Sequence, residues 1–365
     1  MRALVMDTSA LTCWQNSTKY EKADFMSIEQ TVRSTLNRSK RLTSAIAATV
    51  IALCTPGAVF PADLTITTGS TTGTYFKFGQ NIADVARRYG VDIEVASSQG
   101  SVENIQRILG YSGLADTPGG QHSFFQLGLV QGDVLDAMRA HARGDQTLEA
   151  ITDKIKVVLP LYGEEIHVLV DENSGYTDIE DFLRRGQNIG AGKQQSGTRQ
   201  TVLSLWRQLG MQGNLDALAP MGGAEALEGI DFGVIEGMIY VAGAPTGLMR
   251  DSVTRGGGLR LISADMPRLY DLENSPYRSA RITPETYPWL DRAVDTTAVV
   301  ALLVVYDYDE NNDNCALVEK TTRAIIENID TLRQDGHPKW RDFDLRAARQ
   351  RSDIYECAKR ALVQQ

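Results

Sequence analysis

Leu64–Tyr75 reads LTITTGSTTGTY, an alternating run that passes straight into a loop of Gly, Ser and Thr. Alternation over Leu64–Thr68 is the pattern of a strand with one buried face. Downstream, Phe76, Ile82, Val85 and Ala86 lie on or near one face of a helix over Phe76–Tyr89. The unit is therefore strand, polar loop, helix start. Glycines let the backbone approach a ligand, and N–H groups of a first helical turn favour an anion. Hydroxyls of Ser70, Thr71 and Thr74 add donors. The loop has neither the G-K-[ST] ending of a P-loop nor G-x-G-x-x-G spacing. Read alone, a Gly-rich turn with a capping hydroxyl explains it equally well.

Upstream of this unit lie Arg33, Arg38, Lys40 and Arg41, then the apolar run Leu42–Cys54. That run is shorter than the roughly 20 residues a spanning helix needs. A basic region, a short apolar core and small residues read as a cleaved secretory signal, with cleavage after Ala58 or Ala62. An uncleaved signal anchor is the alternative, and Leu53 argues against a lipobox at Cys54. Acids within Met1–Phe25 fit no part of a signal and point to Met26 as the start. Residues 1–62 are thus an extension plus signal peptide, and the mature chain is expected in the periplasm.

The mature part is too long for one ordinary core, which predicts two lobes. Of the 37 basic and 46 acidic residues, seven and four precede residue 63, leaving a net charge of −12 on the mature chain. Nucleic acid is excluded as a partner, because phosphate binding needs a basic footprint. An acidic body still binds a small anion where the site carries local donors. Cys315 and Cys357 remain after cleavage, both in helix-like segments. In an oxidising compartment such a pair forms a disulfide that staples two helices; two buried thiols are the alternative.

Strand-like runs at Val91–Ala96, Leu127–Val130, Ile155–Leu161, Ile166–Val170, Asn188–Ala191, Phe232–Val241 and Ala298–Tyr306 alternate with helical ones at Val102–Gly110, Val134–Arg143, Ile179–Arg184 and Thr198–Leu209. The last 50 residues are mostly helical. This order predicts α/β lobes on largely parallel sheets. Tyr111–Gln126 and Thr254–Gly258 read as surface insertions.

Gln195–Arg199, QSGTR, repeats the design of the first loop: it follows a strand and opens a helix. Arg199 adds a planar fork suited to a carboxylate, or is a solvated residue behind an N-cap. Gln131 stands at a strand end, where open α/β sheets place ligands, while Asp133 reads as a helix cap. Val241–Thr246, VAGAPT, also ends a strand in small residues, or is a simple turn. His122, His141, His167 and His337 have no zinc-like spacing, and no G-x-S-x-G is present. His167, inside an apolar strand, reads as structural. Glu164–Glu165 reads as a solvated pair at a lobe crossing rather than an acid/base pair. No enzyme, metal or cofactor is expected.

In order, GSTTGTYF (69–76), SQGSVENI (98–105), LGLVQGDV (127–134), LYGEEIHVLVDENSGYTDIEDF (161–182), NIGAGKQQSGTR (188–199) and VAGAPT (241–246) resemble the TAXI family, the extracytoplasmic solute-binding subunits of TRAP transporters. The resemblance spans roughly 63–330. It implies an α/β, two-lobed periplasmic-binding-protein-like fold of type II, closing at a hinge on a small anion such as glutamate or a related dicarboxylate. Lobe 1 is then 63–165 plus 300–365, and lobe 2 is 166–299. It implies delivery to TRAP membrane permease subunits by an ion gradient. A sensor that docks on a receptor kinase is the alternative, and a monomer is the default. Carried over, the ligand-binding residues are Ser70, Thr71, Thr74, Tyr75, Gln131, Ser196, Gly197, Thr198, Arg199, Ala242 and Gly243. The chain departs from the family pattern at Thr72, usually Gly, and at Gly132, usually Ser.

Overall fold

The computed structural model describes residues 62–110, 125–211, 215–252, 258–272 and 275–363. The signal region, most of the Tyr111–Gln126 stretch and most of Thr254–Gly258 lie outside them, as does His122. Among the described residues ten strands form one sheet: β1 Leu64–Thr67, β2 Ile93–Ala96, β3 Leu127–Gln131, β4 Ile155–Asp171, β5 Ile189–Gly190, β6 Leu218–Ala219, β7 Gly237–Ala242, β8 Leu259–Ile262, β9 Tyr277–Ile282 and β10 Val294–Tyr306. Their order is β2-β1-β3-β10-β4-β7-β5-β6, with β8 on β4 and β9 on β10. Among the helices are α1 Thr74–Arg87, α2 Ser101–Ile108, α3 Gly132–Ala142, α4 Gln146–Thr152, α5 Ile179–Arg185, α6 Gly197–Gln208, α7 Ala224–Asp231 and α8 Gly247–Ser252. The C-terminal part adds α9 Asp313–Glu327, α10 Ile329–Asp335, α11 Leu345–Gln350 and α12 Glu356–Val363.

The class is mixed α/β. Parallel pairing holds where it was expected, between β1 and its neighbours β2 and β3, and between β5 and its neighbours β6 and β7. The centre is different. The runs Ile155–Leu161 and Ile166–Val170 are one continuous strand, β4, and it pairs antiparallel with both β10 and β7. The chain leaves the first half of the sheet along β4 and returns along β10, so the two must run in opposite directions. Their register places the change of partners: Gly163 of β4 faces Val300, whereas Glu165 faces Ala242 of β7.

Hydrophobic cores flank this spine in both halves. In the first half, α1 turns Phe78, Ile82, Val85 and Ala86 inward. Phe78 stacks on Trp340 and meets Tyr162, with ring centroids 4.3 Å apart in both pairs. In the second half, Phe182 of α5 and Val202, Leu205 and Trp206 of α6 pack on Val168, Ile239 and Ile262. Each such side chain contributes roughly 1.5–3 kcal/mol of burial. Asp178 caps α5 through the Asp181 N–H at 2.9 Å. Cys315 of α9 and Cys357 of α12 are joined in a disulfide, with Cα atoms 5.4 Å apart. No described helix is long and apolar enough to cross a membrane.

Candidate functional site

A cavity of about 360 Å³ lies where the two strand–loop–helix units meet. Its wall takes Ser70, Thr74 and Tyr75 from the first loop, Gln131 from the end of β3, Ser196, Gly197 and Thr198 from the second loop, and Ala242 from the end of β7. These eight come from the eleven residues that the sequence nominated. Thr71 is exposed and lies outside the wall. Gly243 also lies outside it, but its carbonyl accepts the Thr74 hydroxyl at 2.7 Å. Arg199 does not line the cavity either: its Nη1 donates to the Leu218 carbonyl on β6 at 3.2 Å.

Further wall residues were not nominated. Ser98–Ser101 belongs to the SQGS segment, Gly222–Glu225 opens α7, and Glu164 sits on β4 where its partners change. Glycine turns before helices marked the first two. The signal for Glu164 was its setting: an acidic pair inside a long apolar strand is seldom in water. The structure corrects the reading of that pair as solvated, since Glu164 is 2% exposed and Glu165 6%. Asp133 likewise is not a plain cap. It is buried, and its Oδ2 accepts hydroxyls from Thr201 at 2.7 Å and Tyr277 at 2.9 Å.

The two glutamates differ in their partners. Glu165 accepts Lys339 Nζ and the Ala244 N–H, the latter at 2.8 Å, and Lys339 also reaches Asp342 at 2.7 Å. Glu164 accepts the Tyr75 hydroxyl at 2.7 Å. Burial pushes the Glu164 carboxyl well above the usual carboxylate range, and Glu165 is raised for the same reason with Lys339 opposing. His167 is structural, as its apolar setting suggests. It is fully buried against the Tyr287 hydroxyl at 2.9 Å, and burial lowers its pKa to about 4, so the ring is neutral at pH 7.

Four helices begin at the cavity with no side-chain cap: α1 after Gly73, α2 after Gly100, α3 after Gln131 and α7 after Gly223. The α6 start is capped once, by Ser196 Oγ on the Arg199 N–H at 3.2 Å. Backbone N–H groups and positive helix ends are thus gathered round one space. Glycine is required where the halves touch. A Cβ at Gly197 would lie 1.5 Å from Gln131 Oε1 and 2.6 Å from Ser101 Oγ. Other bonds bridge the same gap: the Glu103 N–H reaches the Gln195 carbonyl at 3.3 Å, and Gln195 Nε2 reaches Gln106 Oε1 at 3.2 Å.

A profile of the NMT1-like family matches residues 66–354. The chain belongs to the NMT1-like family. Among curated proteins none matches the sequence. Solved structures similar to this NMT1-like chain include a protein from Bordetella bronchiseptica RB50, at 18% identity, 83% coverage of this chain, 89% of that one and a TM-score of 0.44. The periplasmic binding protein BugD matches at 10% identity, 76% and 83% coverage and a TM-score of 0.43. The periplasmic aliphatic sulphonate binding protein SsuA from Escherichia coli matches at 16% identity, 75% and 79% coverage and a TM-score of 0.36.

Proposed function

We propose that this NMT1-like protein is the periplasmic solute-binding subunit of a TRAP-type transporter of the TAXI kind. It captures a small carboxylate, glutamate-like or a dicarboxylate, and delivers it to membrane permease subunits. The observation that carries this reading is the cavity itself, ringed by four helix starts without side-chain caps. Such starts hold an anion without a formal cation. In this reading lobe 1 (63–165 and 300–365) and lobe 2 (166–299) swing about the points where β4 and β10 change partners. Hydrogen bonds from Thr201 to Asp133 and from Gln195 to Gln106 then belong to the closed state. A ligand that touches both lobes stabilises closure. The hydroxyls of Ser70, Thr74, Ser196 and Thr198 and the amide of Gln131 orient the solute. The anion is met mainly by backbone N–H groups rather than by Arg199.

The test is a thermal-shift screen of residues 63–365 against amino acids, dicarboxylates, keto acids and sulfonates. At 100 times its Kd a solute adds about 2.7 kcal/mol of stability, a rise of several degrees. A hit on a small carboxylate is the expected result. No shift with any solute in the screen would sink the reading.

A further inference from the structure

Glu164 is the one fully buried charged side chain among the described residues of the cavity wall. The other two charged wall residues, Lys193 and Glu225, are exposed and face each other at 3.6 Å. No described cation contacts Glu164. The groups that face it are Tyr75 of α1, Asp133 of α3, Tyr162 and Glu165 beside it on β4, Tyr240 of β7, and Lys339, which is already bound to Glu165 and Asp342. All but the last are acids or hydroxyls. On the same wall Gln131 is 2% exposed, and its Nε2 has no acceptor among the described residues. The cavity thus offers an unmatched donor and several helix starts for an acidic group, together with a buried acid that lacks a cation. A dicarboxylate would satisfy the donors but would set its second carboxylate beside the Glu164 carboxyl, in a buried place with no cation free to neutralise it.

We infer that Glu164 sets the specificity of the cavity by pairing with an ammonium group of the solute, so that the preferred solute is a zwitterion and not a plain dicarboxylate. This rests on the solute-binding reading above and narrows it. Burial pushes the Glu164 carboxyl above the usual carboxylate range; a docked ammonium favours its carboxylate form and pairs with it. The Tyr75 hydroxyl donates to Glu164 Oε2 at 2.7 Å.

The experiment uses matched acids that differ only in the amine: glutamate and glutarate, aspartate and succinate, alanine and propionate. Each is titrated calorimetrically into residues 63–365 and into Glu164→Gln. The expected result is at least tenfold tighter binding of an amine-bearing member. Glu164→Gln should lose ten- to hundredfold in affinity for it. An amine-free member that binds as tightly overturns the inference. The comparison within each pair uses the wild-type protein, so it decides even if the variant does not fold. Amine-free acids binding alone would overturn the zwitterion and leave the solute-binding reading standing. Silence in the pairs with a hit on another solute class would do the same, and silence everywhere would overturn both.

Discussion

Asp145, Asp178, Asn312 and Asp344 each cap the helix that follows with a side-chain oxygen, whereas Gly73, Gly100, Gln131 and Gly223 do not. The first set starts helices away from the cavity; the second starts α1, α2, α3 and α7 around it. A cap is worth about 1 kcal/mol to a helix. Leaving it out at four helix starts gives up that stability in the ligand-free protein and leaves the N–H groups there without a capping side chain. The division has two exceptions: Ser196 caps α6 at the cavity, and α10 starts without a side-chain cap outside the cavity wall.

The largest effect is expected at the contact between halves. Gly197→Ala puts a methyl into the space of Gln131 Oε1. Overpacking of this kind costs up to about 3 kcal/mol, or more than a hundredfold in affinity. Because opening relieves the clash, the melting temperature without solute should change little. Full affinity in this variant would mean that the halves do not close as described.

Next is Asp133, in the first turn of a cavity-side helix but held by Thr201 and Tyr277. Burial raises its pKa from 3.8 to about 6. A carboxyl raised on folding contributes its stability below the unfolded pKa and loses it as pH rises through the folded one. Between pH 4 and 7 the wild type should therefore lose about 2–3 kcal/mol relative to Asp133→Asn. Urea unfolding of both proteins across that range measures the gap, and a constant gap would show that Asp133 does not titrate there.

The smallest effects form a pair that tests the contrast directly. Gly73 has φ −85° and ψ 162°, suited to any residue. Gly73→Ser supplies a cap to α1, with Ser70 Oγ giving way slightly, and should weaken solute binding about tenfold, or ~1.4 kcal/mol, without loss of stability. Asp178→Ala removes a cap from α5 and should cost about 1 kcal/mol of stability with affinity unchanged. If both variants changed stability alone, the two sets of helix starts would not differ in role.

Much of this was legible in the chain. Alternation and helical spacing located the strands and helices, the two Gly/Ser/Thr loops located six wall residues, and two strand ends located Gln131 and Ala242. Glu164 was misjudged because local sequence does not say that Ile155–Leu161 and Ile166–Val170 join into one buried strand. Arg199 illustrates the converse: its residue type suits a carboxylate, yet its direction depends on where β6 passes.

By itself the sequence determined the alternation of strands and helices and the polar loops that open α1 and α6, because periodicity and glycine placement are local properties of the chain, and its match over 66–354 determined the NMT1-like family. Only the tertiary structure decided that β4 and β10 run antiparallel through both halves, that Gly197 presses on Gln131, and that Glu164 faces the cavity while Glu165 meets Lys339. Those facts depend on register and on contacts between residues up to 174 positions apart in the chain, which no window of sequence contains.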